Sequence, residues 1–154
     1  MTSIKTLALC LALSLPAAGA ALAQDLAPMP AASAGSASLA LAFPDLKQKS
    51  GVIMIAVYDG LDGWKSGKPA RVALAAAADL EPVARLEGLP EGTYAARVFQ
   101  DLDGDGKMAV NPFGLPTEPY GFSNGARANM GPPSFQEASF AVAAGENRQT
   151  IALK

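Results

Sequence analysis

From Ser38 onward the chain alternates apolar residues with small or polar ones. Leu39, Leu41 and Phe43 recur with a period of two, which sets them on one face of an extended strand. Val52 to Tyr58 (V-I-M-I-A-V-Y) is an unbroken apolar and β-branched run, opened by Gly51 and closed by Asp59-Gly60. Its length fits a strand buried on both faces. Val72, Leu74 and Ala76 alternate again. The overlapping alanines 75–78 also suit a helix, since alanine has the best helix propensity, but a strand is the favoured reading. Val83 to Leu86 predicts a short strand. Glu91 to Phe99 predicts a strong one, with Tyr94, Ala96 and Val98 on one face and Arg97 on the other, toward solvent. Ala138 to Ala143 and Gln149 to Leu153 complete the set, joined by a turn around Gly145-Glu146-Asn147.

About seven short strands, punctuated by Gly and Pro and lacking any long amphipathic helix, predict an all-β fold. Two facing sheets bury both sets of apolar faces, so the expectation is an antiparallel, Ig-like β-sandwich over residues 38–154. One stretch departs from a minimal sandwich. Asp101 to Gln136 shows neither helix nor strand period, yet it holds Phe113, Tyr120, Phe122 and Phe135. Disordered sequence is poor in aromatics, so this reads as one long ordered loop. Ordering it costs roughly 1–2 kcal/mol per residue. Aromatic packing and a bound cation are the two candidate offsets.

Ahead of the strands stands an export signal. Lys5 gives a positive start, Leu7 to Leu15 an apolar centre, and Ala21-Leu22-Ala23 a small-x-small cleavage pattern, which predicts removal of residues 1–23 before Gln24. The apolar run falls short of the roughly 20 residues needed to span a bilayer. Residues 24–37, rich in Ala, Ser, Pro and Gly, read as a flexible linker. Cleavage removes Cys10, the one cysteine, and the chain has no histidine. The mature protein therefore has no disulfide, no cysteine nucleophile, no histidine acid–base group and no ordinary zinc site. With a small acidic excess and no basic stripe, nucleic acid is not an expected partner. The expected location is periplasmic or secreted, with no membrane span after cleavage.

The chemistry that remains is carboxylate chemistry. Asp101-Leu102-Asp103-Gly104-Asp105-Gly106-Lys107 places three carboxylates at alternating positions, and they converge on one hard cation when the chain curls. Gly106 allows the positive φ of the curl, and the Lys107 carbonyl falls where an EF-hand-type loop uses a backbone oxygen. Oxygen ligands select calcium. The predicted metal group is thus Asp101, Asp103, Asp105 and Lys107. Position nine is Ala109 and position twelve Pro112, so the shell lacks the usual later ligands; Glu118 or Asn111 is available to complete it. The plain alternative is a solvated Asp/Gly turn.

Further motifs lie in register around this loop: L-E-G-L-P-E-G-T-Y-A at 86–95, G-L-P-T-E-P-Y-G-F-S-N at 114–124 and G-P-P-S-F at 131–135. Together they resemble domain-of-unknown-function family 2141, a family of exported bacterial proteins, over about Leu39 to Leu153. The resemblance implies a relative without an assigned activity. It also implies an aspartate where this chain has Ala109. The L-P-x-G-x-Y piece is more loosely similar to the strand entry of transthyretin-like and collagen-adhesin B-type sandwich modules, which implies fold only.

Tyr120, Phe122, Ser123 and Asn124, with Glu118 beside them, form a candidate ligand surface: aromatic rings to stack on a sugar, polar groups to bond its hydroxyls. The competing expectation is that these aromatics cap the end of the sandwich. Trp64, in the Gly-rich segment Asp59 to Gly67, faces the same choice. Arg127 is a candidate neutraliser of the acidic cluster. The function expected is a non-catalytic, calcium-stabilised extracytoplasmic module acting in binding or envelope structure on an unidentified ligand or envelope component. A carbohydrate- or peptide-binding domain is the first alternative, and a hydrolase using carboxylates alone, through Glu118 and Glu137, the second.

Overall fold

A computed structural model describes residues 36–154. The expected signal segment and all but the end of the expected linker lie outside the described residues. The linker's last residue, Ala37, already belongs to a strand and is buried.

Among the described residues eight strands form two sheets. They are β1 (Ala37–Ala42), β2 (Val52–Tyr58), β3 (Arg71–Ala76), β4 (Val83–Leu89), β5 (Gly92–Asp101), β6 (Tyr120–Phe122), β7 (Ser139–Val142) and β8 (Gly145–Thr150). The first sheet has the order β4-β1-β8; the second runs β3-β2-β5-β6, with β7 also paired to β5. An all-β, sandwich-like fold is therefore what the alternation predicted. Period-two patterning supplies the inner faces: Leu39 and Leu41 from β1, Ile53, Ile55 and Val57 from β2, Ala84 and Leu86 from β4, Tyr94, Ala96 and Val98 from β5; Leu89 joins them through a register shift between β1 and β4. These side chains from the two sheets share one core, which Phe43, Phe140, Ile151 and Leu153 extend.

Several expectations are corrected. Pairing is not wholly antiparallel, since β1 and β8 run parallel, Ala37 opposite Gly145 through Ala42 opposite Thr150. The predicted turn around Gly145 is instead the first part of β8, and β7 and β8 lie in different sheets. Ile151 and Leu153, read as strand, follow β8 as buried irregular chain. The segment around Trp64 forms a short helix, α1 (Leu61–Ser66), ended by Gly67 in the left-handed conformation. The long loop contains β6, too short to show a period, and a one-turn helix, α2 (Phe135–Ala138). Ser134 and Glu137 close α2 with a capping box.

The L-P-x-G-x-Y entry has a physical reason. Leu89 is buried in the core, and the Tyr94 hydroxyl donates back to the Pro90 carbonyl at 2.9 Å, pinning the crossing from one sheet to the other. Burial, then the nearby Asp59 carboxylate, pushes the Tyr94 phenol up, with Arg71 opposing.

Candidate functional site

β5 ends at Asp101, where the acidic loop begins. Asp101 is buried while Asp103 and Asp105 are exposed, and one oxygen from each lies within 4.8 Å of the others. The loop is curled by its own carboxylates. Asp101 accepts from the Gly104 N–H at 2.7 Å through Oδ1 and from the Gly106 N–H at 2.9 Å through Oδ2. Asp103 accepts from Asp105 N–H and Asp105 from Lys107 N–H. Gly104 and Gly106 both take positive φ. Burial at the strand end disfavours the Asp101 anion. The N–H groups of Gly106 and Gly104, with Asp103, outweigh it and hold the carboxyl below the usual range.

The strand end that carries Asp101 has little freedom to shift. Gly51, at φ 74°, packs so close that a Cβ there would stand 2.0 Å from the Asp101 carbonyl. Beside it the buried Gln100 amide donates to the carbonyls of Gln48 and Ser50.

Glu118, expected to complete the metal shell or meet a ligand, is buried and turned to the loop's backbone. Oε1 accepts from Leu102 N–H at 2.7 Å and Oε2 from Ala109 N–H at 2.9 Å. It thus staples both ends of the acidic turn. Asn111 is likewise committed: its Oδ1 accepts from Phe113 and Leu115 N–H. Of the predicted metal group the three aspartates are brought together and Lys107 meets Asp105 through its N–H, whereas the two proposed later ligands serve as backbone acceptors.

The second half of the connection folds against the outer face of the five-stranded sheet. Trp64 is buried, with Tyr58 edge-on at 5.2 Å and Phe122 and Phe135 each at 6.2 Å between ring centroids. Its Nε1 donates to the Pro133 carbonyl at 3.0 Å. Arg97 is corrected from solvent-facing to covered. Its guanidinium lies 4.1 Å from the Trp64 ring centroid and 5.1 Å from that of Tyr58, and it donates to the Trp64 carbonyl. No motif of the sequence marks this cation, because its partners come from separate elements.

Of the candidate ligand surface, Ser123 is removed by burial. Its hydroxyl accepts from Ala96 N–H at 2.8 Å and donates to the Ala138 carbonyl at 2.5 Å. Ala96 sits between the β5 residues paired with β7 and those paired with β6, so Ser123 fills a gap in the ladder. Asn124 is exposed and donates to the Glu137 carbonyl. Tyr120 and Phe122 remain half-exposed and line a depression of about 390 Å³, with Arg127 and Lys154 at its rim. Glu137, the other carboxylate considered for hydrolysis, is bound to the hydroxyl and N–H of Ser134, which holds its carboxyl below the usual range.

These features define an all-β, two-sheet domain with an acidic turn at the end of one central strand and an aromatic cover over one outer face. The chain belongs to the family described as uncharacterized protein conserved in bacteria (DUF2141), whose model matches residues 42–150. That span includes the acidic turn, the aromatic cover and the L-P-x-G-x-Y entry. No curated protein and no solved structure matches the chain. Among the described residues no helix is long and apolar enough to cross a membrane.

Proposed function

We propose that the protein is an exported, non-catalytic β-sandwich module that acts in binding or envelope structure outside the cytoplasm, with calcium completing its acidic turn. The convergence of Asp101, Asp103 and Asp105 oxygens within 4.8 Å carries this reading. At that spacing each pair of carboxylates repels by roughly 1 kcal/mol even at the dielectric of water, and a divalent cation reverses the sign. The donor set is all oxygen, which fits calcium and not a soft metal. Asp103 and Asp105 each give one oxygen to a loop N–H, which leaves the second for a cation, and the Lys107 carbonyl is the next donor along the turn. With Glu118 engaged by two N–H groups and alanine at position 109, water fills much of the shell, so affinity is modest. The engagement of Glu118 and Glu137 by backbone and Ser134 groups supports a role without catalysis. The signal pattern of residues 1–23 supports export.

The test is thermal melting in chelator, magnesium and calcium. Calcium raises the melting temperature, and magnesium raises it less because it demands stricter octahedral geometry. Saturation at a hundredfold excess over the dissociation constant stabilises by about 2.7 kcal/mol. Asp103→Ala with Asp105→Ala abolishes the response and leaves the sandwich folded. Identical melting in all three conditions for the parent protein reduces the turn to a self-capped loop.

A second reading rests on the depression beside Tyr120 and Phe122. Its aromatic wall and its rim of Arg127 and Lys154 suit a carbohydrate or peptide with an acidic group. Loss of binding in Tyr120→Ala, with the melting temperature held, supports it.

A further inference from the structure

The outer face of the five-stranded sheet is apolar where the aromatic cover does not reach. Val72 and Leu74 on β3 are 71% and 62% exposed, and Val52 on β2 is 39% exposed. In register, Ala56 stands opposite Val72, Met54 opposite Leu74 and Val52 opposite Ala76, so these side chains form one strip. β3 is the terminal strand of this sheet. The Ala77 N–H continues its ladder to the Gly51 carbonyl. Antiparallel pairing alternates, so Ala73 and Ala75 turn their N–H and C=O toward β2, while Val72, Leu74 and Ala76 turn theirs outward.

The other edges are protected. Tyr120 on β6 exchanges both backbone hydrogen bonds with Lys154 of the terminal segment. β4 carries Arg85 and Glu87, β8 carries Glu146 and Arg148, and β7 has only 4 residues. Between Val72 and Ala76, β3 has no charge, no proline and no register shift.

Charges of opposite sign stand on its two flanks. Lys65, Lys68 and Arg71 precede or open the strand, and Asp79 and Glu81 follow it; all are exposed. An antiparallel pair made by two copies about a twofold axis at Leu74 sets Val72 opposite Ala76. All three outward-facing residues of each copy then find partners. Arg71 falls opposite Ala77, where the second copy turns toward Asp79 and Glu81, with Lys68 just ahead of Arg71 on the same flank. The basic flank of each copy meets the acidic flank of the other, whereas parallel pairing sets like charges side by side.

We propose that the protein forms a twofold dimer by antiparallel edge pairing of β3 centred on Leu74, joining the two five-stranded sheets and their apolar outer strips into one.

Light scattering on the purified protein over rising concentration tests this. The parent chain shows a reversible monomer–dimer equilibrium. Leu74→Lys, at an exposed position, is monomeric with an unchanged circular dichroism spectrum. Lys68→Glu with Arg71→Glu weakens the dimer by about tenfold or more, and adding Asp79→Lys with Glu81→Lys restores it. In a Cys10→Ser background, Leu74→Cys oxidises to a disulfide dimer, because hydrogen-bonded antiparallel pairs hold Cα atoms about 5.5 Å apart. Leu80→Cys does not. A parent chain that stays monomeric at every concentration overturns the proposal. So does a dimer that survives Leu74→Lys and yields no Leu74→Cys disulfide.

Discussion

Two halves of one connection, residues 102–118 and 119–138, are ordered by different forces. In the first half, side-chain oxygens take backbone N–H groups of the loop itself: Asp101 binds Gly104 and Gly106, and Glu118 closes the turn on Leu102, 16 positions away. In the second half, aromatic burial against Trp64 dominates, helped by Trp64 Nε1 on the Pro133 carbonyl, 69 positions away. The first half leaves its apolar side chains outside, with Phe113 88% exposed. The second packs Phe122, Ala126 and Phe135 against Trp64 and Ala138, although Met130 at its tip is exposed. A segment without periodicity is thus no single kind of loop: one half is held by charge and hydrogen bonds, the other by desolvation.

The largest expected effect breaks the second half. Trp64→Ala removes the centre of the aromatic cover and the partner of Arg97, and destabilises by about 3–5 kcal/mol. Hydrogen exchange shows faster amides through α2 and residues 131–134, while those of Gly104 and Gly106 keep their protection. Equal loss in both halves would erase the distinction.

Glu118→Gln is the converse and smaller change. It keeps the volume but leaves one of the Leu102 and Ala109 N–H groups facing an amide donor, a loss of about 1–3 kcal/mol. Exchange then quickens at residues 102–109 and not at α2.

The smallest effect is acid dependence. Because the folded Asp101 carboxyl lies below the ordinary range, its ionised form adds stability above the unfolded value of about 3.9. That contribution disappears as pH falls through the lower folded value. Melting temperatures of the parent and of Asp101→Asn therefore differ by a constant amount near neutrality and converge below about pH 4. A difference that persists unchanged to lower pH assigns the carboxylate no role in curling the turn.

Local chemistry made much of this molecule legible from its residues. The positions of β1 and β5 followed from period-two alternation and that of β2 from an unbroken β-branched run, and the acidic turn followed from aspartates and glycines that reach each other within one curl. What the sequence could not decide was which distant groups meet. The parallel pairing of β1 with β8, the covering of Arg97 and the Ser123 hydroxyl in the gap beside Ala96 all join residues far apart in the chain. Gly121 reads as an ordinary glycine until the terminal segment passes over it, where a Cβ would stand 2.5 Å from the Ala152 carbonyl. Val72 and Leu74 alternate as a core face would, yet point outward, because alternation defines two faces and only the packing of the sheets selects which is buried.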